Sequence, residues 1–189
     1  MLRKQRAFPV AIFACLGFFL TACEPVEKEG KETVISWEAK LGQELPAFGH
    51  RNWIVIVDSA YPAQVSPGIN LVVSGEDHFS VLEKVLKAVD GSKQISPRVF
   101  LDKELASVTE DLAPGIEACR TRLGTMLTGR TVTAIPHEEL ITRLDQVAKT
   151  FRILMIKTTL TLPYTSVFME LDCGYWTPEA EAKMRESMK

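Results

Sequence analysis

From residue 34 onward the hydrophobic positions alternate between short unbroken runs and longer stretches with helical spacing. Val34 to Leu45, with Ile35, Leu41 and Leu45 in phase, predicts a first helix that stops at Pro46. Trp53 to Asp58 is a continuous, largely β-branched run, the pattern of a strand buried on both faces, and Ser59 to Pro62 ends it. Pro67 and Gly68 punctuate the next loop, and Ile69 to Val73 predicts a second short strand. Asp77 is placed to cap a helix carrying Phe79, Val81, Leu82, Val85, Leu86 and Val89 on one side. His78 is expected to be exposed in the first turn of that helix. Val99 to Leu101 predicts a short strand, and the long helical stretch after it divides near Pro114, which suits the first turn of a second helix. Thr131 to Ile135 predicts a strand, and Pro136 and His137 open a helix with Leu140, Ile141, Leu144 and Val147. Phe151 to Ile156 and Val167 to Leu171 predict the last strands, and Thr177 to the end a polar amphipathic helix. Buried strands alternating with helices predict one α/β domain with a mixed, mostly parallel sheet.

The first 33 residues follow a different pattern. Arg3, Lys4 and Arg6 precede 14 uncharged residues, Ala7 to Leu20, and Leu20-Thr21-Ala22-Cys23 follows. This is the layout of a secretory signal peptide over residues 1–22. The small residues before Cys23 resemble a bacterial lipobox, in which the cysteine sulfur takes a diacylglycerol and becomes the first residue of the mature chain. The uncharged stretch is short of the roughly 20 residues needed to span a bilayer, and Pro9 interrupts it. Residues 24–33 (EPVEKEGKET) read as a polar tether that would hold the domain some 30 Å from a membrane at about 3.3–3.6 Å per residue. The expectation is an exported lipoprotein, anchored through Cys23 in a bacterial periplasm or cell envelope, with residues 34–189 as its domain.

Composition narrows the function further. The 189 residues are 46% hydrophobic and 24% charged, which excludes disordered, collagenous and coiled-coil chains. Loss of Arg3, Lys4 and Arg6 with residues 1–22 leaves 19 basic against 24 acidic residues, a formal net charge of −5. Nucleic acid is a poor partner for such a chain, because that affinity rests on clustered Lys and Arg. Cys119 and Cys173 are the cysteines outside the first 23 residues. They are too few for a disulfide scaffold, and free buried thiols are favoured over a bridge.

Common catalytic patterns are missing. His50, His78 and His137 have no His or Cys at metal-ligand intervals, and there is no GxGxxG, no P-loop and no GxSxG. What remains is an ordered series of short motifs. Gly49-His50 precedes the buried strand ending in Asp58, and Tyr61-Pro62 closes the turn after it. Pro136-His137-Glu138-Glu139-Leu140 comes later, then Pro163-Tyr164-Thr165-Ser166 before the final strand.

In that order and spacing, residues 35–173 resemble the ribose pyranase/fucose mutarotase (RbsD/FucU-like) family. The resemblance implies a three-layer α/β/α domain and a reaction that interconverts anomers or ring forms of a free monosaccharide such as ribose or fucose. No metal or organic cofactor is implied. Carried over by residue, it makes His50 the catalytic acid/base and Asp58, His137, Tyr164, Thr165 and Ser166 the sugar-binding set. It also implies a homo-oligomer, often a ring, with sites near subunit contacts. Ring opening needs one proton taken from the anomeric hydroxyl and another given to the ring oxygen, and an imidazole does both near neutrality. Asp58 is equally suited to bonding the amides of its own turn. Two positions depart from the family pattern: Ser166 stands for an Asn, and Leu160 for a Glu. They keep open an alternative, a non-catalytic sugar-binding or assembly lipoprotein on the same fold.

Overall fold

The computed structural model of the chain describes residues 35–189; the signal, Cys23 and the tether expected from the sequence lie outside them. Six strands form one sheet: β1 (Trp53–Val57), β2 (Ile69–Val73), β3 (Ile95–Asp102), β4 (Val132–Ile135), β5 (Ile153–Lys157) and β6 (Val167–Cys173). Five helices accompany them: α1 (Trp37–Glu44), α2 (His78–Asp90), α3 (Ile116–Met126), α4 (His137–Val147) and α5 (Pro178–Ser187). The strand order is β2-β5-β1-β6-β3-β4. β6 pairs antiparallel with β1 and β3, and every other pairing is parallel, so five strands share one direction.

The fold is the expected mixed, mostly parallel α/β/α arrangement. On one face of the sheet, Ile54, Ile56, Leu154 and Met169 pack with Trp37 and Leu41 of α1, Val81, Leu82 and Val85 of α2, and Ile116 and Leu123 of α3. On the other, Trp53, Val55, Met155 and Phe168 pack with Leu140 and Leu144 of α4. All five residues of β1 are buried, as its unbroken apolar run requires. α5 extends the domain and buries none of its residues.

Three local expectations need correction. Strand β3 runs from Ile95 rather than Val99, despite Pro97. At Pro97 it is still an edge, because β4 joins only at Val99, and a residue without an N–H is tolerated on an open side. The segment after β3 is not a long helix. Lys103–Ser107 is a 3₁₀ turn, and α3 begins only at Ile116. Glu110 accepts hydrogen bonds from the Gly115 and Glu117 amides, which turns the chain back ahead of α3, and Gly115 takes a left-handed φ of 95° there. Pro114 therefore lies in the turn before the helix.

The third correction is His78. It follows the Asp77 cap, which accepts from the amides of Phe79 and Ser80, but it is 0% exposed. Its ring lies against the edge of Phe79, and its Nδ1 is 3.1 Å from the Thr158 hydroxyl. That hydroxyl donates its proton to the Val57 carbonyl, so Nδ1 must be the donor in the imidazole–hydroxyl pair. Nε2 is left buried without a partner among the described residues. Helical spacing could not show this, because the walls of the His78 site come from the ends of β1 and β5.

Gly68, before β2, marks a close approach. Its N–H donates to the Ala148 carbonyl at the end of α4, and its carbonyl accepts from Ile153 at the start of β5. A Cβ at this position would lie 2.3 Å from the Phe151 carbonyl oxygen. Cys119 and Cys173 are both free thiols; Cys119 sits in the core, where burial pushes its thiol pKa up.

Burial pushes the His78 pKa down to about 4, from an ordinary value of 6.5. The folded state therefore excludes a proton that the unfolded chain accepts. This contribution is complete above pH 6.5 and is lost as pH falls towards 4, a loss of about 3 kcal/mol. Urea unfolding at pH 7 and pH 4.5 is expected to show this slope in the wild type and a shallower one in His78→Gln. Equal slopes in the two proteins would reject the assignment.

Candidate active site

The sheet has two functionally different rims. At the carboxyl ends of its parallel strands, β1 runs into Asp58, β3 ends on Asp102, and β4 leads through Pro136 into His137 at the start of α4. The antiparallel β6 begins at the same rim, so Tyr164, Thr165 and Ser166 arrive there too. Open α/β sheets bind ligands outside these strand ends, where loops diverge and leave a crevice.

A cavity of about 350 Å³ lies at this rim, lined by Asp58, Ala60, Tyr61, Pro62, His137, Glu138, Pro163 and Tyr164. Its size suits a small ligand. A larger groove of about 710 Å³ runs between α2 and α3, but solvated side chains such as Glu83, Lys87 and Arg122 line it, and no strand end reaches it. The convergence of polar groups on strand ends singles out the smaller cavity.

Asp58 has both oxygens engaged. Oδ1 accepts from the Ala60 amide at 2.9 Å, and Oδ2 accepts from the Ser166 hydroxyl at 3.2 Å. The carboxylate thus bonds its own turn and also faces the cavity. Ser166 and Thr165 are fully buried and do not line it: Ser166 is committed to Asp58, and the Thr165 hydroxyl donates to the Leu162 carbonyl. Their side chains build the wall behind Asp58 and Tyr164.

His137 is held from several directions. Its main-chain N–H donates to the Glu104 carboxylate, at 3.2 and 3.1 Å from the two oxygens. Its ring Nδ1 lies 2.9 Å from Asp102 Oδ1. Tyr61 and Tyr164 each meet the ring edge-on, with centroids 5.9 and 5.4 Å away. Tyr164 reaches this position with a left-handed φ of 58°, a conformation that a bulky residue enters at a cost and that aims its ring at the cavity.

Asp102, Glu104 and Tyr61 were not among the expected site residues. Asp102 was detectable in principle, since it follows a buried apolar run just as Asp58 does. Burial pushes its pKa up to about 6, against the opposing pull of the hydrogen bond from His137. The Tyr61 phenol is pushed up, first by burial and then by the nearby Asp102 charge, and its hydroxyl donates to Gln64.

His50 is not at this rim. It precedes β1, so the five residues of that strand, roughly 17 Å at about 3.3 Å each, separate it from Asp58. Its side chain is 55% exposed, and its nearest carboxylate is Asp172, 3.9 Å away beyond β1's other end. Within one copy of the chain, Asp58 therefore does not orient His50. Leu160 packs against the core.

Comparison with known proteins agrees with this architecture. The sequence pattern of the RbsD / FucU transport protein family matches residues 30–173. Among solved structures, the fucose mutarotase of Streptococcus pneumoniae in complex with L-fucose is similar, with a TM-score of 0.50 and 20% identity over 73% of this chain and 93% of that one. The RbsD of Bacillus subtilis complexed with D-ribose has a TM-score of 0.49 and 18% identity over 71% and 92% of the respective chains. FucU from Bifidobacterium longum has a TM-score of 0.49 and 14% identity, with the same coverage. No curated protein sequence matches the chain.

The backbone at Tyr164 generates a stability prediction. Tyr164→Ala keeps the left-handed strain and removes the ring contacts, whereas Tyr164→Gly removes the strain as well. Thermal or urea unfolding is expected to find the glycine variant more stable than the alanine variant, by roughly 1 kcal/mol. The reverse order would show that residue 164 does not occupy a left-handed conformation.

Proposed function

We propose, because the chain belongs to the RbsD / FucU transport protein family, that it interconverts anomeric or ring forms of a free monosaccharide. The observation that carries this reading is the convergence of Asp58, His137 and Tyr164 on one small cavity at the strand ends. Asp58 and His137 offer polar contacts to sugar hydroxyls, and the Tyr164 ring offers an apolar face. Exchange begins when the anomeric hydroxyl loses its proton, the bond from C1 to the ring oxygen breaks, and that oxygen takes up a proton. The open-chain aldehyde rotates about C1–C2, or presents a different hydroxyl, and closes by the reverse transfers. Proton number is unchanged over the cycle, and positioned acid–base groups accelerate such a step by about 10²–10⁴-fold.

In this proposal His50 acts from a second copy of the chain. Its exposure and its place on the rim opposite Asp58 are compatible with reaching a neighbour's cavity across a subunit contact. Homo-oligomers of closed symmetry repeat such a contact at every site. The non-catalytic reading has one specific observation in its favour: a single copy has no His50 at its cavity. On that reading Asp58, His137 and Tyr164 bind a sugar without transforming it. The proposal also keeps Cys23 as the lipidated residue and the cell envelope as the protein's place.

NMR exchange spectroscopy on ribose, fucose and other aldoses is expected to show faster exchange for one sugar with wild-type protein and none with His50→Ala. A folded wild type that accelerates no sugar would favour the binding reading. Shared sites predict complementation as well. Co-assembly of inactive His50→Ala with inactive Asp58→Asn is expected to restore about a quarter of the wild-type rate, since random mixing leaves that share of sites intact. No recovery in a confirmed mixed oligomer would confine the site to one copy. For the anchor, Cys23→Ser is expected to move the protein from the membrane fraction to the soluble fraction of the envelope, and continued membrane retention would reject lipidation there.

A further inference from the structure

We infer that Asp102 is a positioning residue, which fixes His137 with Nε2 as a proton acceptor towards the cavity and makes His137 the second acid/base of the site. This deepens the mutarotase reading and rests on it. The Asp102 side chain is 0% exposed; Oδ1 meets His137 Nδ1, and Oδ2 is buried without a hydrogen-bond partner among the described residues. A fold that needed only an anchor for the ring could use an amide and would bury no charge. A buried carboxylate adds two effects that an amide lacks. Only a protonated Nδ1 can donate to it, and it stabilises the imidazolium formed when Nε2 takes a second proton.

The rest of the site favours the same assignment. Nε2 makes no hydrogen bond among the described residues, and the ring lines the cavity. The Glu104 carboxylate on the 3₁₀ turn, Asp58 after β1 and Glu138 on α4 all lie near the pair, and among the described residues no Lys or Arg lines the cavity. A proton taken up at Nε2 therefore has carboxylates around it. The near-perpendicular rings of Tyr61 and Tyr164 restrict ring rotation, so Nε2 keeps its aim. During ring opening, His137 Nε2 takes the anomeric proton, the C1–ring-oxygen bond breaks, and His50 of the second copy gives a proton to the ring oxygen. Ring closure returns both protons. His50 alone would carry the two protons in turn; with His137 as the base, removal and delivery occur together.

Asp102 with a pKa near 6 supports a specific pH dependence. Once the carboxyl is protonated it no longer enforces the Nδ1–H tautomer, so exchange is expected to slow as pH falls through about 6. Asp102→Asn allows the amide N–H to donate to Nδ1, which puts the ring proton on Nε2 and turns the base away. The test combines imidazole ¹⁵N–¹H correlation spectra with sugar-exchange kinetics on the full-length protein, using wild type, Asp102→Asn, His137→Gln and the double variant. The expected wild-type tautomer is Nδ1–H, changed in Asp102→Asn. The exchange rate constant at saturating sugar should fall between about 10- and 1,000-fold in each single variant, with half-saturation within about threefold. The double variant should be no slower than His137→Gln, since both substitutions disable one unit. A wild type with Nε2–H, or an Asp102→Asn protein with wild-type rate and pH profile, would overturn the inference. A wild type that accelerates no sugar would overturn the mutarotase reading and the catalytic role of His137, while the ¹⁵N spectra would still decide whether Asp102 sets the tautomer.

Discussion

β1 is hydrogen-bonded along its length on both sides, in parallel to β5 and antiparallel to β6, and all five of its side chains are buried. A strand held in this way cannot slide or tilt without breaking two ladders and exposing two core faces. Its direction therefore decides what the two rims of the sheet can become. Because β3, β4 and β5 share that direction, the residues after each of them collect on one side, and the reversed β6 brings its opening residues to the same side. Asp58, Asp102, His137 and Tyr164 come together for that reason, although more than a hundred positions separate the first from the last.

Two aspartates at equivalent strand ends have different chemistry there. Asp58 receives hydrogen bonds on both oxygens, from Ala60 and Ser166. Asp102 receives one on a single oxygen and, among the described residues, none on the other. Burial with a single hydrogen bond leaves the Asp102 pKa raised. Ser166 accordingly has its clearest physical role as the donor that completes Asp58. An Asn at that position would offer an amide instead, with a different reach and a second polar atom to place.

The sequence revealed those features whose causes are local. The β1 run, the Asp77 cap and the apolar stripe of α2 appear in the structure as expected, because strand burial and helix capping are written in neighbouring residues. Long-range causes were not legible. The burial of His78 depends on Thr158 and Val57, and the extra length of β3 on where β4 joins it. The segment from Lys103 to Gly115 has helical composition, but Glu110 captures amides that would otherwise continue a helix. Among the site residues, Asp58, His137 and Tyr164 share the cavity, whereas Thr165 and Ser166 stand behind it and His50 lies beyond the far end of β1. Motif order along a chain does not say which end of a strand a residue reaches.

The contact at Gly68 extends this logic to a remote position. The glycine backbone sits between the last turn of α4 and the start of β5, in a space where even a methyl group would meet carbonyl oxygens. The other end of α4, 11 residues away along a helix rising about 1.5 Å per residue, carries His137. A helix is stiff over that distance, so prying up its tail at Ala148 would tilt its head against Asp102 and Glu104. Position 68 thus acts as the fulcrum of a lever: a side chain placed there would misalign an imidazole it never touches.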